Sequence, residues 1–214
     1  EISVTWGRLT LHVLGLNIDP RNNILSNAMQ EIQDTRFERA KLINQALVAG
    51  GLPSLLDEAL EEAGDPGQIS RTHFARAMIS KNICSSTREV FKNYLVSGKL
   101  GFVEHKWPSL KNAIDWIKMA DGLAVLAHPA RYELSLTELY ILLDDFSNLG
   151  GVAIEVATGS HSHSDIKKFQ SIANQNKFEA SRGSDFHSPT ESRFDVGIAP
   201  ALPVETVPVW ARWM

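Results

Sequence analysis

The sequence predicts an α/β protein built on a parallel sheet or barrel and carrying an all-helical insert. Two observations lead there. From about residue 102 onward, strand-like runs alternate with helical ones, and polar clusters fall where the strand runs stop. Between residues 27 and 98 the strand signal disappears and apolar residues recur at helical spacing. The expected division is therefore 1–26 with 99–214 for the α/β part and 27–98 for the insert. In folds of this class chemistry sits at the C-terminal ends of strands, where the polar clusters lie.

Taken in order, Glu1-Ile2-Ser3-Val4 and Leu9 to Leu14 read as strands, with Trp6-Gly7-Arg8 as the turn between them. A domain seldom begins inside its own sheet, so residues upstream of Glu1 are expected to be missing. Leu9, Leu11 and Val13 share one strand face, and His12 lies on the other. Within the insert, Ile32, Phe37, Ala40, Ile43 and Leu47 mark an amphipathic helix. Arg36 and Arg39 share one of its faces and could grip a phosphate; pairing with Glu38 or Glu31 on a solvated face is the other reading. Leu55 to Ala63 is a further helix. Ser70 opens the next, so Ser70, Arg71 and Thr72 form either an anion site or an ordinary cap.

After Gly101 the pattern changes. Leu110 to Met119 is helical, Leu123 to Ala127 is a buried strand, and His128-Pro129-Ala130-Arg131-Tyr132 follows at its end. Thr137 to Leu149 is a helix, Val152 to Val156 a strand, and Thr158-Gly159-Ser160-His161-Ser162-His163 its exit loop. Asp165 to Asn176 is helical, and Phe178 to Ser181 is a strand leading to Gly183-Ser184-Asp185-Phe186-His187.

Bulk properties exclude several classes. A chain of 214 residues holds one good core, or one core with a small appendage. A net charge of −4 supplies no basic field for long nucleic acid, so DNA is not an expected partner. The lone cysteine, Cys84, excludes an internal disulfide and fits a reducing, cytoplasmic setting. No apolar run reaches membrane-spanning length and no signal peptide is visible, so no membrane partner is expected.

The chemistry lies in one set of residues. Asp185 and His187 sit two apart, so on an extended strand end both would point the same way. With Glu1, His12 and His128 they make five oxygen and nitrogen donors and no thiolate. Such a set favours zinc, manganese, iron or magnesium over a structural zinc site.

The segments Glu1-Ile2-Ser3, Leu11-His12-Val13-Leu14-Gly15-Leu16, Ala127-His128-Pro129 and Gly183-Ser184-Asp185-Phe186-His187 resemble the later motifs of the PHP (polymerase and histidinol phosphatase) domain. The segments Arg36-Phe37-Glu38-Arg39, Ile69 to Ala75 and Ala157 to Ser162 are similar to one branch of it. That branch holds 3',5'-nucleoside bisphosphate phosphatases that also act as 5'-3' exoribonucleases. The resemblance implies a PHP-type distorted (β/α)7 barrel with the helical insert as a lid. It implies Glu1, His12, His128, Asp185 and His187 as ligands of divalent metals, two or three in the complete protein, with manganese expected. Arg36, Arg39, Ser70 and Arg71 would hold the phosphate that is not cleaved, and Arg131 would reach the scissile one unless it pairs with Glu133. His161 or His163 would donate to the leaving oxygen unless the turn is only a polar loop, and Glu155 would orient a ligand histidine. His105 and Trp107 could stack on a base.

The implied activity is metal-assisted hydrolysis of a terminal phosphate from a small nucleotide, or trimming of short RNA. The family's first motif, a His-x-His followed by further ligands, has no match here. The chain is therefore expected to be N-terminally incomplete and inactive by itself. A histidinol-phosphatase-like or other PHP phosphatase, and a non-catalytic phosphate-binding module or inactive fragment, stand as alternatives. The sequence leaves the oligomeric state open.

Overall fold

The computed structural model describes residues 1–187, 189 and 192–214. In chain order the strands are β1 (Ile2–Trp6), β2 (Leu9–Leu16), β3 (Leu123–Leu126), β4 (Ala153–Thr158) and β5 (Glu179–Gly183). The helices are α1 (Asn23–Ala49), α2 (Leu56–Ala63), α3 (Arg71–Ser80), α4 (Thr87–Val90), α5 (Leu110–Met119), α6 (Leu136–Leu149) and α7 (His163–Asn176). The chain forms two compact units, one from Glu1–Leu25 with Trp107–Met214, the other from Ser26–Lys106.

The first unit is a mixed α/β body whose five strands lie in the order β1-β2-β3-β4-β5. β1 pairs antiparallel with β2 and β2 with β3, while β3, β4 and β5 run parallel, as their alternation with helices predicts. The antiparallel hairpin has a local cause. The turn between β1 and β2 is only Gly7-Arg8, with Gly7 at φ +55°. So short a turn returns the chain antiparallel to itself, and glycine takes that φ without steric cost. Helices α6 and α7 cover the parallel crossovers. Each starts on a capping box, Ser135 with Glu138 and Ser162 with Asp165, which satisfies amide groups that the first turn leaves unpaired.

Ile2, Val4, Leu11, Val13, Ala124, Leu126 and Ile154 are buried along the sheet, as are Ile114 and Ile117 of α5, Leu142 and Phe146 of α6, and Phe169 of α7. Each large apolar side chain so buried contributes about 1.5–3 kcal/mol. Strand β4 is buried at all six positions, yet two of these are Glu155 and Thr158. Polar groups inside a sheet are costly unless partnered, which marks this strand's end as a place where structure is held for another purpose.

The second unit is helical. Ala40, Ile43 and Leu47 form one buried stripe on α1 and pack with Leu55, Ala59, Phe74, Met78, Val90 and Leu95. Helix α4 runs into a single wide turn over Phe91–Leu95. Among the described residues, no helix is long and apolar enough to cross a membrane.

Candidate functional site

Glu1, His12 and His128 converge. Glu1 precedes β1, and the pairing of Ser3 with His12 across the hairpin brings the Glu1 carboxylate beside the His12 ring. The β2–β3 pairing carries His128, one residue past Ala127, to the same place. One ligand atom from each lies within 4.8 Å of the others. Glu1 Oε1 hydrogen-bonds Nδ1 of His12, which is 3.1 Å from His128 Nε2; the carboxylate is 3.6 Å from that Nε2. Burial opposes ionisation of Glu1, but the two imidazoles outweigh it and hold the carboxyl well below the usual range.

This group fits a divalent cation. Its donors are one carboxylate and two imidazole nitrogens, crowded more closely than three independent side chains require. His128 is 2% exposed, and its Nδ1 has no hydrogen-bond partner among the described residues. The nitrogen that faces Glu1 and His12 is the other one, Nε2, so a cation held by the group would take Nε2 and leave the buried Nδ1 to a water.

The surroundings hold His128 firmly. It sits at φ +28°, a conformation that side chains rarely adopt. Its amide donates to Oε2 of the buried Glu155 at 2.7 Å. Burial pushes the Glu155 carboxyl up to about 7, against the pull of the His128 amide and ring. Gly183 on β5 leaves room for Glu155, because a Cβ there would stand 2.7 Å from Oε1. Tyr132 donates its hydroxyl to Ala127 O at 2.9 Å and accepts the His12 amide at 2.9 Å.

Asp185 and His187 are placed differently. Strand β5 ends at Gly183, and Asp185 has φ +51°. The expectation that an extended backbone aims both side chains alike is therefore corrected: a left-handed residue breaks the two-residue alternation. Asp185 Oδ2 lies 3.0 Å from Arg131 Nη1, and His187 Nδ1 contacts the Asp185 carbonyl at 2.9 Å. Among the described residues, the close donor group contains Glu1, His12 and His128 and neither of these two.

His161 is 2% exposed, with Nδ1 on Val156 O at 2.9 Å and Nε2 receiving the Ala130 amide at 3.3 Å. Both nitrogens are engaged, and burial lowers the ring's pKa, so a proton for a leaving group is not what this geometry offers. It pins the turn that carries His128 and Arg131.

The second unit gathers Arg36, Arg39, Arg71 and His105. Burial, then the charges of Arg71 and Arg36, push the Arg39 guanidinium down to about 10. Burial, then Arg39 and Arg36, push His105 down to about 4. Arg39 donates from Nε and Nη2 to Val103 O at 3.2 and 3.0 Å, and Arg71 from Nη1 to Leu95 O at 3.1 Å. Ser70 caps α3, its amide donating to His73 Nδ1 at 3.0 Å. Cations that depress one another's pKa make a local positive field suited to an anion. The sequence reading did not foresee His105 in this cluster or Tyr132 beside the metal group. The only available signal was Tyr132's place in the polar turn after β3.

No family model matches the chain. A 3',5'-nucleoside bisphosphate phosphatase of Chromobacterium violaceum is 44% identical over 210 residues, spanning 98% of this chain and 74% of the relative. The 5'-3' exoribonuclease Rnm of Escherichia coli is 36% identical over 213 residues, spanning 100% of this chain and 72% of the relative. Among solved structures, a Chromobacterium violaceum protein described as an amidohydrolase, with bound sulfate and no metal, superposes with a TM-score of 0.90 at 43% identity. It covers 98% of this chain and 73% of that one.

Proposed function

Since the chain belongs to the family of 3',5'-nucleoside bisphosphate phosphatases and 5'-3' exoribonucleases, we propose that it serves a metal-dependent phosphoesterase of the PHP type. Its substrates are nucleoside 3',5'-bisphosphates and short RNA trimmed from the 5' end. The observation that carries this reading is the Glu1–His12–His128 group. Those three would hold a divalent cation, with manganese as the metal proposed and Asp185 and His187 as further ligands. A cation bound there supplies positive charge to a phosphoryl oxygen and acidifies water. The five strands are read as part of the distorted barrel, and the location as cytoplasmic.

The chain's own residues do the rest. Glu155 fixes the His128 backbone, and His161 fixes the Ala130–Arg131 turn. Arg131 exchanges Asp185 for the scissile phosphate, whose planar array of oxygens suits a guanidinium. Arg36, Arg39 and Arg71, with Ser70, are the residues of the helical unit proposed to hold a phosphate. RNA and bisphosphate call for the same bond to be broken: in each, phosphate oxygens meet cations and water attacks phosphorus in line.

The test, run on the full-length protein, is phosphate release from adenosine 3',5'-bisphosphate beside histidinol phosphate, and nucleotide release from a 5'-phosphorylated oligoribonucleotide, with manganese present. Activity on the bisphosphate or the oligonucleotide is expected. Preference for histidinol phosphate, or binding of bisphosphate with no turnover by the full-length protein, would overturn the reading.

A further inference from the structure

We propose that Tyr132 is a positioning residue for the metal group, its hydroxyl spliced into the β2–β3 ladder so as to set how His12 stands relative to His128. The inference rests on the proposed ligation by those two histidines. The register Val13↔Leu126 and Leu14↔Val125 continues to His12 opposite Ala127. In an antiparallel ladder a hydrogen-bonded pair exchanges two direct bonds. Here one is direct, Ala127 N–H to His12 O at 3.0 Å. Its reciprocal is replaced by a relay. The His12 amide donates to Tyr132 Oη at 2.9 Å, and Oη donates to Ala127 O at 2.9 Å.

Two legs in place of one direct bond hold the strands apart at this point. The splay falls where the strands bear the two imidazoles: His12 is in the pair, and His128 follows its partner. His128 is anchored separately, through its amide on Glu155. What Tyr132 sets is therefore the position of β2, and with it His12, against a fixed His128. The tyrosine ring also stands edge-on to the His128 ring, centroids 5.7 Å apart at 61°. Without the hydroxyl, either the His12 amide and Ala127 carbonyl lose their partner, or β2 closes on β3 and carries His12 out of place. Both outcomes loosen the group.

The experiment compares the full-length protein with its Y132F variant, titrating each with Mn2+ by calorimetry where circular dichroism shows both folded. Manganese affinity should fall about tenfold or more, the size of effect seen when groups that orient metal ligands are removed. Replacing Tyr132 with 3-fluorotyrosine, which keeps the hydroxyl, should restore it to within about twofold. An unchanged affinity in Y132F overturns the proposal. Amide exchange at His12 in the parent chain needs no variant: slow exchange supports the relay, and exchange at an unprotected rate overturns it. If the parent binds no manganese, the metal reading fails, and the His12 exchange still decides the relay.

Discussion

Arg131 Nη1 lies 3.0 Å from Asp185 Oδ2, joining the turn after β3 to the loop after β5. The carboxylate expected to face a cation is thus shared with a guanidinium. If a substrate phosphate draws Arg131 away, Asp185 is released as the substrate arrives. R131Q should raise KM for adenosine 3',5'-bisphosphate about tenfold or more, since a charged hydrogen bond is worth roughly 1.5–3 kcal/mol. Manganese affinity should not fall. Steady-state kinetics beside metal titration checks both, and an unchanged KM would remove Arg131 from the substrate site.

His12 faces both Glu1 and His128, so H12A opens the centre of the donor group. Manganese affinity should drop at least about tenfold, more than for any residue acting only through a ligand. Calorimetry on H12A and the parent would show it. Equal affinity would place the metal elsewhere.

Gly183 is glycine because Glu155 needs the space. In G183A the new Cβ would meet Glu155 Oε1 at 2.7 Å. Since Glu155 is buried and holds the His128 amide, it has little freedom to give way. The substitution should destabilise the chain by about 1–3 kcal/mol, the usual cost of overpacking. Chemical denaturation reads this directly, and a cost near zero would mean that Glu155 is mobile.

His105 predicts an acid-sensitive contribution. Its pKa is pushed down to about 4 in the folded chain, against a reference value of 6.5. The unfolded chain therefore binds more protons between these values, and folding loses stability as pH falls through that window. Above pH 6.5 the contribution is fully present. The side chain is half-buried, so screening reduces the loss to about 1–2 kcal/mol. H105N should flatten the dependence of the unfolding midpoint between about pH 6.5 and 4 relative to the parent. Parallel curves for the two would contradict the Arg36–Arg39–His105 field.

Much of the site was legible because donor chemistry is written in residue types. His12 could be picked out as a nitrogen donor on a strand face and His128 as one at a strand end, and the absence of thiolates set the metal class. Asp185 and His187 were harder. Their expected alignment assumed extended backbone, and the left-handed Asp185 changes it. Tyr132 was invisible because nothing in its own neighbourhood signals that its hydroxyl enters a ladder between strands contributed by distant parts of the chain.

The sequence by itself determined the elements and the inventory. Periodicity, caps and the Gly7-Arg8 turn are encoded within a few residues, and so are the residue types that can bind metal or phosphate. Tertiary structure decided the meetings. His12 and His128 are 116 residues apart in the chain yet 3.1 Å apart in space, and Arg131 reaches Asp185 across 54 residues. Such contacts depend on strand register and backbone handedness, which only the packed sheet fixes: shifting one strand by a residue turns each of its side chains to the other face.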